Sequence, residues 1–314
     1  MSRIWVIGSH GLLGQALCWN HTRNGNVLFV PNERFNWGDE KILLCQITSA
    51  VKAFSVFVSE SDKWEIYWAA GIGSMNSLAC DLNTETRALE RLLHQIELDE
   101  RLIRKTGAIA FSSSAGSIYA ASQDFIINEN SAVTPTTDYA QVKIAQEQII
   151  SEFTNRNQCI TSLLARLSTL YGAHQSFGKR QGLLTHIARC ILKKQPIKIY
   201  VPLDTIRDYI AVDDAALIMI HSLRAIKDPI SSIKIIASEQ PTTIANIISS
   251  FKSITRHAPQ IVNSVSELSF VYSRRMTFRS IVYPDFNRFI TTNLFVGISR
   301  IFASELAAIK KCNN

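Results

Sequence analysis

Tyr139 and Lys143 stand four residues apart at the start of the segment TDYAQVKIAQEQIISEF. The segment reads as a helix, and residues four apart on a helix share a face. A lysine ammonium beside a phenol favours the phenolate. Bringing a tyrosine from its ordinary pKa of about 10 to about 7 takes roughly 4 kcal/mol of differential stabilisation. A phenolate so placed is a general base for a hydroxyl proton. The same pair occurs in helices with no chemistry to do, so its meaning depends on what faces it. Upstream, Phe111-Ser112-Ser113-Ser114-Ala115-Gly116-Ser117-Ile118-Tyr119 ends a strand-like run in serines. At the carboxyl edge of an open α/β sheet such hydroxyls stand where ligands bind. In a plain Ser/Gly turn they bond their own backbone instead.

A second cluster opens the chain. Gly8-Ser9-His10-Gly11-Leu12-Leu13-Gly14 follows the apolar run Arg3–Ile7 and leads into Leu12–Asn20. Glycines at this spacing permit a tight turn, close approach of backbone to a pyrophosphate and close helix–sheet packing. The helix start offers free N–H groups and a positive dipole end to the anion. The next strand-like run, Val27–Val30, ends in Pro31-Asn32-Glu33-Arg34, with no Asp in the usual place. Asn32 or Glu33 suits the ribose hydroxyls of NAD, and Arg34 suits the 2′-phosphate of NADP. With a nicotinamide ring nearby, the Tyr139 phenolate would take a hydroxyl proton as hydride leaves the same carbon.

These residues need a frame. Strand-like runs at Arg3–Ile7, Val27–Val30, Phe54–Val58, Glu65–Ala70, Ala108–Ser112, Ile160–Leu164, Ile197–Tyr200 and Ile233–Ala237 alternate with helical segments. The helical segments are Leu12–Asn20, Thr84–Lys105, Tyr139–Thr154, Leu183–Lys194, Asp213–Ile226 and Ile244–Ser253. Strands apolar on both faces, alternating with helices, predict a doubly wound parallel sheet of Rossmann type, class α/β. Beyond about residue 172 the alternation loosens. The reading is a dinucleotide-binding domain over 1–172 and a smaller α/β substrate domain over 173–314, with part crossing back near 197–215.

Composition narrows the class. The 314 residues are 46% hydrophobic and 19% charged, which is globular and not disordered. A net charge of +7 is compatible with nucleic acid and equally with small anionic ligands; with no run of five like charges and no basic stretch interleaved with aromatics, no nucleic-acid partner is expected. No apolar run approaches the ~18 residues of a membrane span. MSRIWVIG is too short for a signal-peptide core and reads as a strand. Cysteines 18, 45, 80, 159, 190 and 312 form no CxxC and no zinc spacing, so neither a metal site nor a disulfide framework is expected. The setting predicted is reduced and cytoplasmic.

Taken together, GSHGLLG, WAAG at Trp68–Gly71, FSSSAGSIY, Tyr139-x-x-x-Lys143, ARLSTLYG and RDYIAVDDAA resemble the extended short-chain dehydrogenase/reductases, in the nucleotide-sugar epimerase/dehydratase group. The resemblance covers nearly the whole chain. It implies that Gly8, Ser9, His10, Gly11, Leu12, Gly14, Ala69, Ala70 and Gly71 line the cofactor. It implies that Tyr139 is the catalytic acid or base, that Lys143 holds the nicotinamide ribose, and that a serine of the 112–114 run assists. Counting from Phe111 selects Ser114, with Ser113 and Ser117 as alternatives. Arg166 and Arg207 are implied as substrate contacts, Arg207 at the diphosphate. The other reading of Arg207 is an ion pair with Asp208 or Asp213 that pins a loop.

The basic 179–198 segment, with Lys179, Arg180 and Arg189, reads mainly as a solvated face, and His174 and His186 as structural. In the family, helices such as Thr84–Lys105 and Tyr139–Thr154 pack across a homodimer. A dehydratase would place acids after the active hydroxyl, where this chain has Ala115-Gly116-Ser117. The GDP-fucose type would place a Cys beside its serine, which FSSSAGSIY lacks. The expectation is an NAD-dependent C4-type epimerase of a nucleotide-diphosphate sugar. An NADPH-dependent 4-keto-sugar reductase is the alternative. Relatives that lost activity lack the Tyr or the Lys, and both are present here.

Overall fold

The computed structural model describes residues 2–71, 79–173, 182–257, 259–263 and 274–312. His174, Lys179 and Arg180 lie outside them. In chain order the elements of the first part are β1 (Arg3–Ile7), α1 (Leu12–Arg23), β2 (Val27–Phe29), α2 (Glu40–Phe57), β3 (Lys63–Trp68), α3 (Ala79–Glu97), α4 (Glu100–Arg104), β4 (Thr106–Ser114), α5 (Ala115–Ile118), α6 (Asp138–Arg156) and β5 (Ile160–Leu167). The rest are β6 (Thr169–Tyr171), α7 (Leu183–Leu192), β7 (Ile197–Ile199), β8 (Ile206–Ala211), α8 (Val212–Ala225), β9 (Ser231–Ile236), β10 (Pro241–Thr243), α9 (Ile244–Thr255), β11 (Ile261–Asn263) and α10 (Leu294–Cys312).

Side chains alternate along β1 and feed two cores. Trp5 and Ile7 pack with Leu43, Ile47 and Phe54 of α2 and Leu89 and Leu92 of α3. Ile4 and Val6 pack on the other face with Leu13 and Leu17 of α1 and Ile218 and Met219 of α8. A strand buried on both faces cannot be an edge of an open solvated sheet, and the result is a parallel sheet in the order β2-β1-β3-β4-β5-β9. Each fully buried Leu, Ile or Phe contributes about 1.5–3 kcal/mol to holding the layers together. From β1 the chain leaves to one side for β2 and to the other for β3, pairing Ile7 with Trp68. That reversal of strand order opens a crevice at the carboxyl ends of β1 and β3.

Three expectations from the sequence are corrected. Phe54–Val58 is the end of α2 and not a strand. Leu43, Ile47, Val51 and Phe54 recur at helical spacing and bury one face, and Asp39 caps the start by accepting from the Ile42 N–H. Thr84–Lys105 is two helices, because Asp99 caps a new one at Arg101 and Leu102. The segment that returns to the main sheet is α8 with β9, Val212–Ile236, and not 197–215. β7 and β8 join the smaller sheets, β11-β7 and β10-β8-β6, around a core of Ile187, Ile197, Tyr209, Phe251 and Ile298. Asp214 of α8 accepts from Thr291 N–H, Thr291 hydroxyl and Thr292 N–H at 3.2, 3.1 and 2.8 Å, which ties the approach to α10 onto α8.

Candidate active site

The glycine loop fills the crevice. Gly8 has φ of +86°, and a Cβ there would lie 2.5 Å from the Ala70 nitrogen. A Cβ at Gly14 would lie 2.1 Å from the Gly8 carbonyl oxygen. The first glycine makes the turn and touches β3's extension, and the third lets α1 close on the loop. The Gly11 N–H donates to the Gly8 carbonyl at 2.9 Å. No side chain caps α1, so its first amides are open to an anion. Ile7–Gly11, Val30–Phe35 and Ala69–Gly71 surround a cleft of about 330 Å³. The uncapped helix start and the absent side chains fit the pyrophosphate and adenosine of a dinucleotide. Asn32, Glu33 and Arg34 are exposed at the cleft's rim. Gln46 Nε2 donates to Glu33 Oε2 and to the Arg34 carbonyl, both at 3.2 Å, and holds this turn.

Ser114 ends β4 and precedes α5 without capping it through its side chain. Its hydroxyl lies near enough to Tyr139 to pull the phenol's pKa down. Tyr139 sits in the first turn of α6, which Thr137 caps by accepting from the Ala140 N–H at 3.2 Å. Lys143 lies one turn on, its Nζ 5.8 Å from the centre of the Tyr139 ring and 4.8 Å from that of Phe111. Strand, cap and helix thus bring the predicted Ser, Tyr and Lys together.

The electrostatics differ from the expectation. Lys143 Nζ lies 2.7 Å from Oε1 of Glu85, and both side chains are buried. Burial opposes the ammonium, but Glu85 and Tyr139 outweigh it, and the Lys143 pKa is raised. Burial pushes the Tyr139 phenol above its ordinary value; Lys143 and the Ser114 hydroxyl pull it down, and Glu85 pushes it up. The lysine charge is already matched, so this site does not by itself lower the phenol.

Two expected residues are placed elsewhere. Ser113 donates to Glu147 Oε1 at 2.6 Å, and Arg166 holds both Glu147 oxygens and the Tyr119 hydroxyl. All four side chains are buried. Ser113 and Arg166 are neighbours across β4 and β5, and Glu147 of α6 reaches both. They brace the site from behind and line neither cleft. Ser117 is buried with its hydroxyl 3.4 Å from the Ser114 carbonyl.

Ser114 also lines a second cleft of about 270 Å³, with Gly116, Thr169, Arg207, Met276 and Phe278. Arg207 is half-buried there, its Nη1 donating to the Ile206 carbonyl at 2.8 Å. Asp208 accepts from Ser168, Ser238 and Gln240. Burial pushes its pKa up in spite of those bonds. These bonds pin β8 to its neighbours, so pinning falls to Asp208 while Arg207 faces the cleft. Glu85 and Glu147 were not singled out from the sequence. The signal for each was an acid on a buried stripe: Glu85 falls with Leu82, Leu89 and Leu92 on α3, and Glu147 four residues after Lys143.

A nucleotide cleft at the switch point and a Ser–Tyr–Lys set at the same sheet edge define a dinucleotide-dependent enzyme of the short-chain type. The model of the NAD dependent epimerase/dehydratase family matches residues 4–235, and the chain belongs to that family. The fold is shared with the UDP-glucose 4-epimerase of Thermotoga maritima solved with UDP-glucose, at TM-score 0.79 and 19% identity over 98% of this chain and 99% of that one. It is shared with the Thermus thermophilus UDP-glucose 4-epimerase complexed with NAD, at TM-score 0.75 and 16% identity over 98% and 99%. RMD from Pseudomonas aeruginosa complexed with NADPH aligns at TM-score 0.78 and 17% identity over 98% and 100%.

Proposed function

We propose that this chain is an NAD-dependent epimerase that inverts carbon 4 of a nucleotide-diphosphate sugar through a transient 4-keto sugar. The observation that carries the reading is Ser114 and Tyr139 brought side by side, with Lys143 one turn on, at the sheet edge beside a dinucleotide cleft. The Gly8–Gly14 loop would hold the pyrophosphate, Asn32 and Glu33 the adenosine ribose, and Ala69–Gly71 and Lys143 the nicotinamide half. Bound there, NAD would supply the hydride acceptor and donor for carbon 4 and a cationic ring that favours the phenolate.

Tyr139 takes the proton of the C4 hydroxyl and later gives it back to the inverted oxygen. Ser114 donates a hydrogen bond to that oxygen and fixes it beside the phenol. Lys143 stabilises the phenolate. Arg207 meets the diphosphate with its planar fork. Gly116, Ala120, Met276 and Phe278 give the cleft one apolar wall, against which a sugar ring can turn over between the two hydride transfers.

Arg34 supports a second reading, an NADPH-dependent 4-keto-sugar reductase, because it is exposed at the rim and makes no ion pair among the described residues. Denaturing fresh protein and weighing what it releases separates the two. Stoichiometric NAD, with C4 epimers formed from a UDP-, GDP- or dTDP-sugar, supports epimerisation. An empty protein that prefers NADPH and turns over only 4-keto sugars supports reduction. A homodimer, a cytoplasmic setting and a part in polysaccharide synthesis come to this reading from the family resemblance. The exposed positions of α3 and α6 are mostly polar, Arg87, Glu90, His94, Gln141 and Gln148 among them, with Ala145 an apolar exception.

A further inference from the structure

Glu85 is 1% exposed, and its two oxygens are treated differently. Oε1 receives Lys143 at 2.7 Å. Oε2 is buried and has no hydrogen-bond donor among the described residues. A buried carboxylate oxygen without a donor is costly and asks for an explanation. Glu147, one turn beyond Lys143, shows what a bracing acid looks like here, since Ser113 and Arg166 satisfy both of its oxygens. Of the atoms that a Cβ at Gly71 would meet, Glu85 Oε2 is nearest, at 3.5 Å. Gly71 is exposed and lines the dinucleotide cleft. The unused oxygen therefore lies just behind the bare backbone at the cleft's inner end.

We propose that Glu85 is a cofactor-positioning residue whose Oε1 holds Lys143 while its Oε2 accepts a hydrogen bond from a hydroxyl of the nicotinamide ribose. This rests on the reading of the cleft as a dinucleotide site. A ribose diol brings two O–H donors. A lysine ammonium has three donors and no acceptor, so Lys143 alone cannot receive either of them. The carboxylate supplies the missing acceptor, and its charge keeps Lys143 protonated and aimed.

The test is binding by calorimetry, with NAD, its two analogues lacking the 2′- or the 3′-hydroxyl of the nicotinamide ribose, and ADP as probes. The wild type and Glu85→Gln are compared, with circular dichroism to confirm the fold. In the wild type, one analogue binds about tenfold or more weakly than NAD, as expected for a hydrogen bond to a charged group. Glu85→Gln binds NAD about tenfold more weakly than the wild type, no longer distinguishes NAD from that analogue, and binds ADP unchanged. Should Glu85→Gln not fold, Glu85→Asp, which keeps the charge and withdraws the acceptor, is compared in its place. The proposal is overturned if the wild type binds both analogues as tightly as NAD, or if Glu85→Gln binds NAD as tightly as the wild type. A wild type that binds neither NAD nor NADP overturns the dinucleotide reading itself, and this inference with it.

Discussion

Arg166 and Glu147 meet as a buried, two-pronged ion pair, with Nη2 2.6 Å from Oε2 and Nε 3.0 and 3.2 Å from Oε1 and Oε2. The pair joins β5 to α6, the helix that carries Tyr139 and Lys143. Removing one partner leaves the other charge buried and unmatched. Glu147→Gln should therefore cost about 3–5 kcal/mol of stability in urea unfolding. The dinucleotide affinity of the folded fraction should stay within about twofold. An Arg166→Met protein of normal stability with a raised KM for the sugar would return Arg166 to the substrate site.

Tyr139 and Ser114 should separate in kinetics. Tyr139→Phe removes the proton carrier, and kcat should fall about 10²–10⁴-fold with dinucleotide binding kept. Ser114→Ala removes one hydrogen bond to the reacting oxygen, and kcat should fall about tenfold to a hundredfold. Ser113→Ala should act on stability, since that hydroxyl serves Glu147. Steady-state rates and melting temperatures of the three variants check the assignment. A Ser113→Ala loss confined to kcat would exchange the roles of the two serines.

The glycine loop tolerates no side chain at its first or third position. Gly8→Ala combines a positive φ with a 2.5 Å contact to Ala70. Gly14→Ala places a methyl 2.1 Å from the Gly8 carbonyl oxygen. Gly8→Ala should cost about 1–3 kcal/mol through backbone strain, Gly14→Ala a similar amount through the clash, and each should displace the loop. NAD affinity should fall at least tenfold in both. Gly25→Ala is the control. Its φ is also positive, at +71°, but nothing lies within 4 Å. It should lose stability and keep NAD affinity, as fluorescence titration can show.

Lys234 makes stability depend on pH. It is fully buried in β9, its Nζ donating to the Ser280 hydroxyl at 2.9 Å and to the Val282 carbonyl. Burial pushes its pKa down to about 8, with Glu129 and Glu239 pulling the other way. An unfolded lysine titrates near 10.4. Between these values the unfolded chain binds more protons, so the unfolding free energy rises with pH. The penalty is full below about pH 8 and is relieved towards pH 10. Relative to Lys234→Met, the wild type should gain about 1–2 kcal/mol between pH 7 and pH 9.5 in urea titrations. A constant difference across that range would show that Lys234 stays charged.

The parts of the site that depend on neighbours along the chain were legible in the sequence. Gly8, Gly11 and Gly14 act within one turn, and Tyr139 and Lys143 within one turn of helix. Local geometry places such residues whatever packs around them. The alternation of runs apolar on both faces likewise required a covered parallel sheet, because a residue such as Trp5 or Ile4 needs a layer on its own side.

Tertiary structure decided the rest, because those choices turn on which elements meet. Phe54–Val58 is short enough to fit either period. Its place on α2 was settled by the face it shares with Leu43, Ile47 and Val51 against the sheet. Adjacent serines of one strand took different places once α6 docked, Ser113 bonded to Glu147 and Ser114 beside Tyr139. Arg166 became a brace because register set it beside Ser113, within reach of the same carboxylate. Glu85 lies 58 residues from Lys143 along the chain, and only the packing of α3 on α6 brings them into contact. A charge acts through space, so its partner is known only once the chain has folded.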